Sequence, residues 1–373
     1  MYSHFNIDPN LIYVNHAAVA PWPIRTVEAV KQFAEQNGQV GSRHYEQWLK
    51  IEQALKQSLA TLINAQSADE IALLKNTSEG LSIIARGIRW QVGDNIVISN
   101  QEFPSNFIVW DALQREGIEL RIADINCVNP EQAIIDKIDS NTRLLSISAV
   151  QYATGLRIDL PQLGHACKTY DSLFCVDAIQ QIGAIQFDVQ AIDADFVVAD
   201  GHKWMLGPEG LALFYCKQSS MQQLKLQQFG WHMVDDLSDF NAMQNWQPAS
   251  NARRFECGSP NTLTIHALHA SVSLLLELGM AQVESSVLAN VQSLIRLFGS
   301  LNDVSILSPQ TTAQHAGIFT FKKHGVDNQK LYESLVHKGA VCALRGGGIR
   351  FSPHFYNQTK EFEQLTHWVE AFT

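Results

Sequence analysis

The chain has 373 residues, enough for roughly two domains at about 150 residues each. Lys and Arg number 27 against 37 Asp and Glu, a formal charge of −10, and hydrophobic residues make up 46%. An acidic balance without any dense basic run argues against a nucleic-acid or membrane-surface binder, and the apolar fraction is sufficient for a sizeable core.

The opening residues, MYSHFNIDPN, lack a basic stretch followed by an apolar one and do not read as a secretory signal. No run approaches the roughly 18 apolar residues that a membrane span needs. Six cysteines, Cys127, Cys167, Cys175, Cys216, Cys257 and Cys342, are scattered without a Cys-x-x-Cys pair. That pattern predicts reduced thiols in a cytosolic protein and no bound metal.

In chain order, IALLKN, NIVIS, IELRIAD, RLLSISAV, SLFCVDA and DFVVAD are short apolar runs that predict strands. The stretches EGLSIIARGI and FIVWDALQREG, lying between them, predict crossover helices. Near-continuous apolar runs separated by helices imply a mostly parallel sheet covered on both faces. LALFY, after a Gly-Pro-Glu-Gly turn, is expected to close that sheet at an edge. Beyond residue 250, NTLTIHALHASVSLLLELGM predicts a long helix with Leu263, Ala267, Ala270, Leu274 and Leu278 on its apolar side. HAGIFTFKK and AVCALRG then read as strands, and QKLYESLVHKG and KEFEQLTHWVEAF as helices. The expected architecture is α/β. Residues 1–19 form an N-terminal arm packing with a small domain, 20–255 a large α/β domain, and 256–373 a smaller C-terminal α+β domain.

There is no G-x-G-x-x-G, Walker, H-E-x-x-H or G-x-S-x-G motif. Open α/β sheets bind ligands at the carboxyl ends of their strands. Two runs end there in ionisable residues: FCVDAIQQ at Asp177, with Gln180 one turn on, and DFVVAD in Asp200-Gly201-His202-Lys203-Trp204. A carboxylate and an amine so placed suit a pyridinium nitrogen and a Schiff base, and equally a plain ion pair. Asn76-Thr77-Ser78-Glu79-Gly80 starts a helix, where hydroxyls and free N–H groups suit a phosphate or a simple N-cap. Phe103 follows another strand and reads as core or as a stacking platform.

In this order these motifs, with Arg-Phe-Glu-Cys-Gly-Ser-Pro-Asn at 254–261, resemble the class V aminotransferase family. The likeness is to its cysteine-desulfurase-like branch, among the fold type I pyridoxal-phosphate enzymes, and runs from Tyr13 to Asn357. It implies a large mostly parallel-sheet α/β/α domain with pyridoxal 5'-phosphate joined to Lys203 as a Schiff base. It further implies that Asp177 pairs with the pyridinium nitrogen, Gln180 meets the ring oxygen and Phe103 covers one ring face. Thr77, Ser78 and His202 would bind the phosphate, and Ser259 would reach the neighbouring subunit's phosphate in a homodimer. Arg350 would clamp the substrate α-carboxylate, and His16 could line the substrate entrance or equally be a structural histidine.

Three positions depart from the desulfurase pattern. Asp200 stands where desulfurases often carry Ser, so it is expected to point away from the phosphate or meet a cation. Tyr152 replaces an Asn near the ring oxygen. The loop carrying the desulfurase nucleophile is missing, because Arg345-Gly346-Gly347-Gly348 joins the flanking strands directly and Cys342 reads as core. The resulting expectation is a homodimeric pyridoxal-phosphate enzyme acting on a small amino acid by transamination or lyase chemistry. The alternatives are a cysteine desulfurase, a C–S lyase or epimerase, or a non-catalytic binding member.

Overall fold

The computed structural model describes residues 2–237 and 243–373. After a two-residue strand, β1 (Ile12–Tyr13), seven strands form one sheet: β2 (Ile71–Leu74), β3 (Asn95–Ser99), β4 (Glu119–Ala123), β5 (Thr142–Ser148), β6 (Leu173–Asp177), β7 (Phe196–Asp200) and β8 (Ala212–Cys216). Their spatial order is β2-β8-β7-β6-β5-β3-β4, and every pair among β7, β6, β5, β3 and β4 is parallel. Alternating side chains feed two apolar layers. Val97, Leu145, Phe174, Val176 and Val197 pack on one face, and Ile96, Ile98, Leu144, Cys175 and Phe196 on the other. Each such aliphatic or aromatic side chain contributes about 1.5–3 kcal/mol when fully buried, which explains why these runs are apolar throughout.

LALFY does not close the sheet at an edge. β8 lies between β2 and β7, antiparallel to both. The connection from β7 is too short and helix-free to return a parallel strand, so the chain turns straight back along its neighbour.

The C-terminal part adds β9 (Val304–Ile306), β10 (Phe319–Lys323), β11 (Ala340–Val341), β12 (Ala343–Arg345) and β13 (Gly348–Phe351). β12-β13-β10-β9 is an antiparallel sheet, packed through Phe298, Phe319, Phe321 and Phe351. β1 pairs in parallel with β11, so the N-terminal segment joins this C-terminal part. The β12–β13 turn needs Gly346 and Gly347, with φ of 63° and 77°, which only glycine adopts freely.

The long helix is Thr262–Leu278, and it bends by 86° at Gly279 into a second helix, Met280–Phe298. Ala267 and Leu274 of the expected apolar side are buried, while Leu263 is 38% exposed and Ile265, Leu268, Val272 and Leu275 are buried as well. The buried face is therefore wider than expected and turned away from Leu263, because this helix packs on the helices Ile24–Val40 and Tyr45–Leu62 as well as on the sheet. Among the described residues no single helix is long and apolar enough to cross a membrane.

Candidate active site

Lys203 leaves β7 through a tightly held turn. Leu206, buried and at φ 61°, donates its N–H to Lys203 O at 3.0 Å and accepts from Ser271 Oγ at 2.8 Å. A bulky residue in that left-handed conformation costs about 1–3 kcal/mol, which the surrounding contacts must offset. Below the turn, the carbonyl of Trp204 accepts from His354 Nε2 at 3.1 Å. The His354 tautomer is fixed, because its Nδ1 accepts the Phe355 N–H at 2.8 Å.

Lys203 opens into a cavity of about 250 Å³ that gathers side chains from the ends of β3, β5, β6 and β7. Thr77, Ser78, Phe103, Tyr152, Asp177, Gln180, Asp200, His202, Lys203 and Arg350 all line it. These ten sequence-predicted residues are brought together from positions up to 273 apart (350 − 77).

Asp177 is 2% exposed, and its Oδ1 accepts the Ile179 N–H at 3.1 Å. Burial raises its carboxyl to about 7, with Glu102 and Asp200 adding and Lys203 opposing. Burial lowers Lys203 to about 8, against the pull of Asp177 and Asp200 and helped by Arg350. Each group thus titrates near neutrality until a ligand of the right charge arrives. The Lys203 ammonium lies 5.6 Å from the centroid of Phe103, and that ring meets Tyr152 edge-on at 5.2 Å.

At the anion end, the helix Thr77–Gly87 begins beside Asp200 and His202. Gly80 lets this helix sit close to the sheet, since a Cβ there would stand 2.7 Å from Val198. Asp200 faces the start of that helix, with Lys203 the cation that bears on it. Its Oδ2 accepts from Thr77 N at 3.3 Å and Thr77 Oγ1 at 3.4 Å, and lies 3.9 Å from His202 Nδ1. Burial raises Asp200 to about 6, so this carboxyl can take a proton when an anion approaches. Burial, and then Lys203, lowers His202 to about 4, leaving the ring neutral at pH 7.

Arg350 donates from Nη1 to Tyr152 O at 2.7 Å, and its buried Nε has no partner. A second guanidinium, Arg345, lines the same cavity. The hairpin pairs Ala343 with Arg350 and Arg345 with Gly348, so both arginines belong to one face of it. Among the described residues neither arginine has a carboxylate within ion-pair distance, and Arg345 helps burial to lower Arg350 to about 10. In the sequence Arg345 reads only as part of a turn, because the hairpin register that brings it to the face of Arg350 is set by the fold.

Two predicted residues lie elsewhere. His16 does not line the entrance: its ring is fully buried, with Nδ1 donating to Ser352 O at 2.8 Å and Nε2 2.7 Å from Tyr356 Oη. Ser259 lines a separate cavity of about 530 Å³ with Lys75, Glu79 and Cys257. Glu256, beside that cavity, accepts from the Leu73 N–H at 2.8 Å and from Lys56. Glu52, His232 and Glu256 offer three ligand-type atoms within 4.8 Å of one another. Lys56 Nζ already sits 3.3 Å from Glu52 and 2.8 Å from Glu256, so an ammonium holds the cation position there. Gln180 is occupied on both sides, with Nε2 donating to Ala17 O at 3.0 Å and Oε1 accepting from Trp204 Nε1 at 2.8 Å.

The donor set fits pyridoxal phosphate. It comprises a low-pKa amine, a buried carboxylate, an aromatic face and a helix start with hydroxyls. Asp200 Oδ1, His202 Nδ1 and Arg350 Nε are buried without hydrogen-bond partners, leaving polar capacity for a ligand. In the apoprotein, Lys203 is expected to acylate faster than other lysines at pH 8. Its rate should rise with pH through about 8 and level off above, because only the neutral amine attacks. Peptide mass mapping after brief labelling checks this, and a Lys203 that labels no faster than exposed lysines at that pH contradicts it.

Residues 12–365 match the family model "Aminotransferase class-V". The chain is 30% identical to a probable cysteine desulfurase of Methanothermobacter thermautotrophicus, covering 96% of this chain and 94% of that one. It is 28% identical to a cysteine desulfurase of Salmonella typhimurium, covering 90% and 84%. Among solved structures, a complex of the cystine C-S lyase C-DES with its product cysteine persulfide superposes with a TM-score of 0.90 at 21% identity, covering 98% of each chain. An apo cysteine desulfurase from Thermococcus onnurineus superposes with a TM-score of 0.86 at 23% identity, covering 96% and 94%. These two likenesses establish the fold type I architecture, and with the family match the chain belongs to the class V aminotransferase family of pyridoxal-phosphate-dependent enzymes.

Proposed function

We propose that this enzyme breaks the C–S bond of a sulfur amino acid, with the disulfide cystine as preferred substrate. Its relatives bear the names of cysteine desulfurases, which favours sulfur chemistry over transamination. The observation that carries the reading is the cavity itself: two guanidiniums, Arg350 and Arg345, without a carboxylate partner among the described residues, and no thiol among its described lining residues. Cys342 sits in the break between β11 and β12, 5% exposed in the phenylalanine core, and burial pushes its thiol up to about 12. A desulfurase needs a reactive enzyme thiol in reach of the substrate, whereas a lyase does not.

In this reading Asp177 would face the ring nitrogen, Phe103 would cover the ring, and Thr77, Ser78 and neutral His202 would hold the phosphate. Gln180 and Tyr152 would border the ring oxygen, and Asp200 would lie at the phosphate end. When bound, pyridoxal phosphate supplies an electron sink for negative charge at Cα. Lys203 Nζ takes the Cα proton and returns one to the product side, work that an amine titrating near 8 performs well. Arg350 orients the α-carboxylate through its planar fork, and Arg345 meets the second carboxylate of cystine. Overall, cystine and water give pyruvate, ammonia and cysteine persulfide. We further propose a homodimer in which the Ser259 segment completes the neighbouring site.

The test is turnover of L-cysteine and L-cystine with pyruvate and sulfane sulfur measured together. Wild type should turn over cystine. Arg345→Ala should lose about tenfold in kcat/KM for cystine relative to cysteine, the low end for one charge-assisted contact. Cys342→Ser should leave turnover near wild type. Loss of sulfur release in Cys342→Ser with cofactor binding intact would establish a desulfurase instead. Amino-group exchange with a keto acid and no pyruvate from cystine would establish a transaminase.

A further inference from the structure

Glu102 belongs to none of the groups assigned above. It follows β3 by three residues and precedes Phe103, and every partner of its carboxylate is a donor. Oε1 accepts from Ser99 Oγ at 2.6 Å. Oε2 accepts from Asn106 Nδ2 at 2.7 Å, from the Ser148 N–H at 3.0 Å and from Ser148 Oγ. Burial raises the Glu102 carboxyl, and the hydrogen bonds from Ser148, Ser99 and Asn106 oppose that rise by favouring the ionised, acceptor-only form. The network runs on into the core, where Asn106 Oδ1 accepts from Trp110 Nε1 at 2.9 Å and Ser146 Oγ at 2.7 Å.

These partners come from three places. Ser99 ends β3, Asn106 lies in the first turn of the helix Ser105–Asp111, and Ser148 ends β5. Phe103 stands between the first two, Tyr152 lies four residues past the third, and Ser148 is the β-ladder partner of Asp177. The charged groups that bear on Asp177 are Glu102, Asp200 and Lys203, two of them of its own sign.

We propose that Glu102 is a positioning residue, which gathers the ends of β3 and β5 around the Phe103–Tyr152 platform and sets a fixed negative charge beside Asp177. That charge penalises a second ionised carboxylate and is relieved when Asp177 gains a cationic partner, so it favours binding of a protonated ring nitrogen over an empty site. The inference rests on the reading that Asp177 faces the ring nitrogen of the cofactor.

The experiment is the affinity of apoprotein for pyridoxal phosphate as a function of pH, with thermal unfolding of each apoprotein alongside. In wild type, affinity should rise as pH passes through the Asp177 transition near 7. Glu102→Gln keeps the shape, removes the like charge, and should move that midpoint down by about one pH unit. Ser99→Ala removes one donor and keeps the charge, so its midpoint should stay at the wild-type value despite some loss of stability. A Glu102→Gln midpoint at the wild-type pH, with weaker affinity throughout, overturns the proposal and leaves Glu102 a structural clamp. Asp177→Asn separates the two ideas, because it should abolish the transition. If it keeps the wild-type profile, the underlying reading of Asp177 fails first.

Discussion

Lys203→Ala should yield a folded protein that has lost the visible absorbance of lysine-bound cofactor and at least about a thousandfold in turnover. The figure follows from the roles proposed for Lys203, because loss of a general base alone typically costs about 10²–10⁴ and the proposed covalent anchor goes with it. Folding should survive. The Lys203 amine is depressed to about 8 from its ordinary 10.5, so its protonated form is disfavoured in the folded state. That disadvantage is full below pH 8 and vanishes as pH rises past 10.5. The alanine apoprotein should therefore melt no lower than wild type at pH 7, and the two should converge in strong alkali. Borohydride treatment followed by peptide mapping provides the check. A variant that still retained a reducible cofactor would place the anchor on another lysine.

The sheet was legible because its strands are buried on both faces, and such runs carry an unbroken apolar signal, as in NIVIS and DFVVAD. Strand order was not. LALFY reads the same at an edge or one place inward, and only its pairing with both β2 and β7 distinguishes them. The helix from Thr262 shows a similar limit. It is apolar nearly all round, so periodicity alone could not choose the Leu263 side or the Ile265 side.

Within the site, residues at strand ends were legible because chemistry and position coincide, as at Asp177 and Lys203. His16 shows the opposite case. Its ring partners, Ser352 and Tyr356, lie 336 and 340 residues away, and nothing local signals that both nitrogens are engaged. Arg345 and Glu102 escaped for related reasons. One stood in a glycine turn whose hairpin register was unknown, and the other preceded an aromatic that drew the attention. Asp200 was expected to point away from an anion or to meet a cation, and its carboxyl faces the start of the Thr77 helix with Lys203 bearing on it. Burial supplies what a bare charge argument omits, since it raises the Asp200 carboxyl to about 6 and so lowers the cost of protonating it.

Arg350→Lys should weaken substrate binding roughly tenfold to a hundredfold while leaving the cofactor absorbance unchanged. Lysine keeps the charge and loses the fork, so one charge-assisted hydrogen bond to the α-carboxylate disappears, worth about 1.5–3 kcal/mol. The same change removes the bond from Nη1 to Tyr152 O, which steadies both the arginine and the end of the Phe103–Tyr152 platform. A lysine ammonium cannot reach that carbonyl and a carboxylate with one fixed geometry, so the loss should fall on KM more than on kcat. Arg350→Ala offers the sharper version, and added guanidinium should restore part of its activity by refilling the emptied space. Burial and the like charge of Arg345 both oppose the Arg350 charge, and a bound carboxylate relieves that opposition. Steady-state kinetics of Arg350→Lys and Arg350→Ala read the effect, and a KM unchanged in both variants would place the α-carboxylate elsewhere.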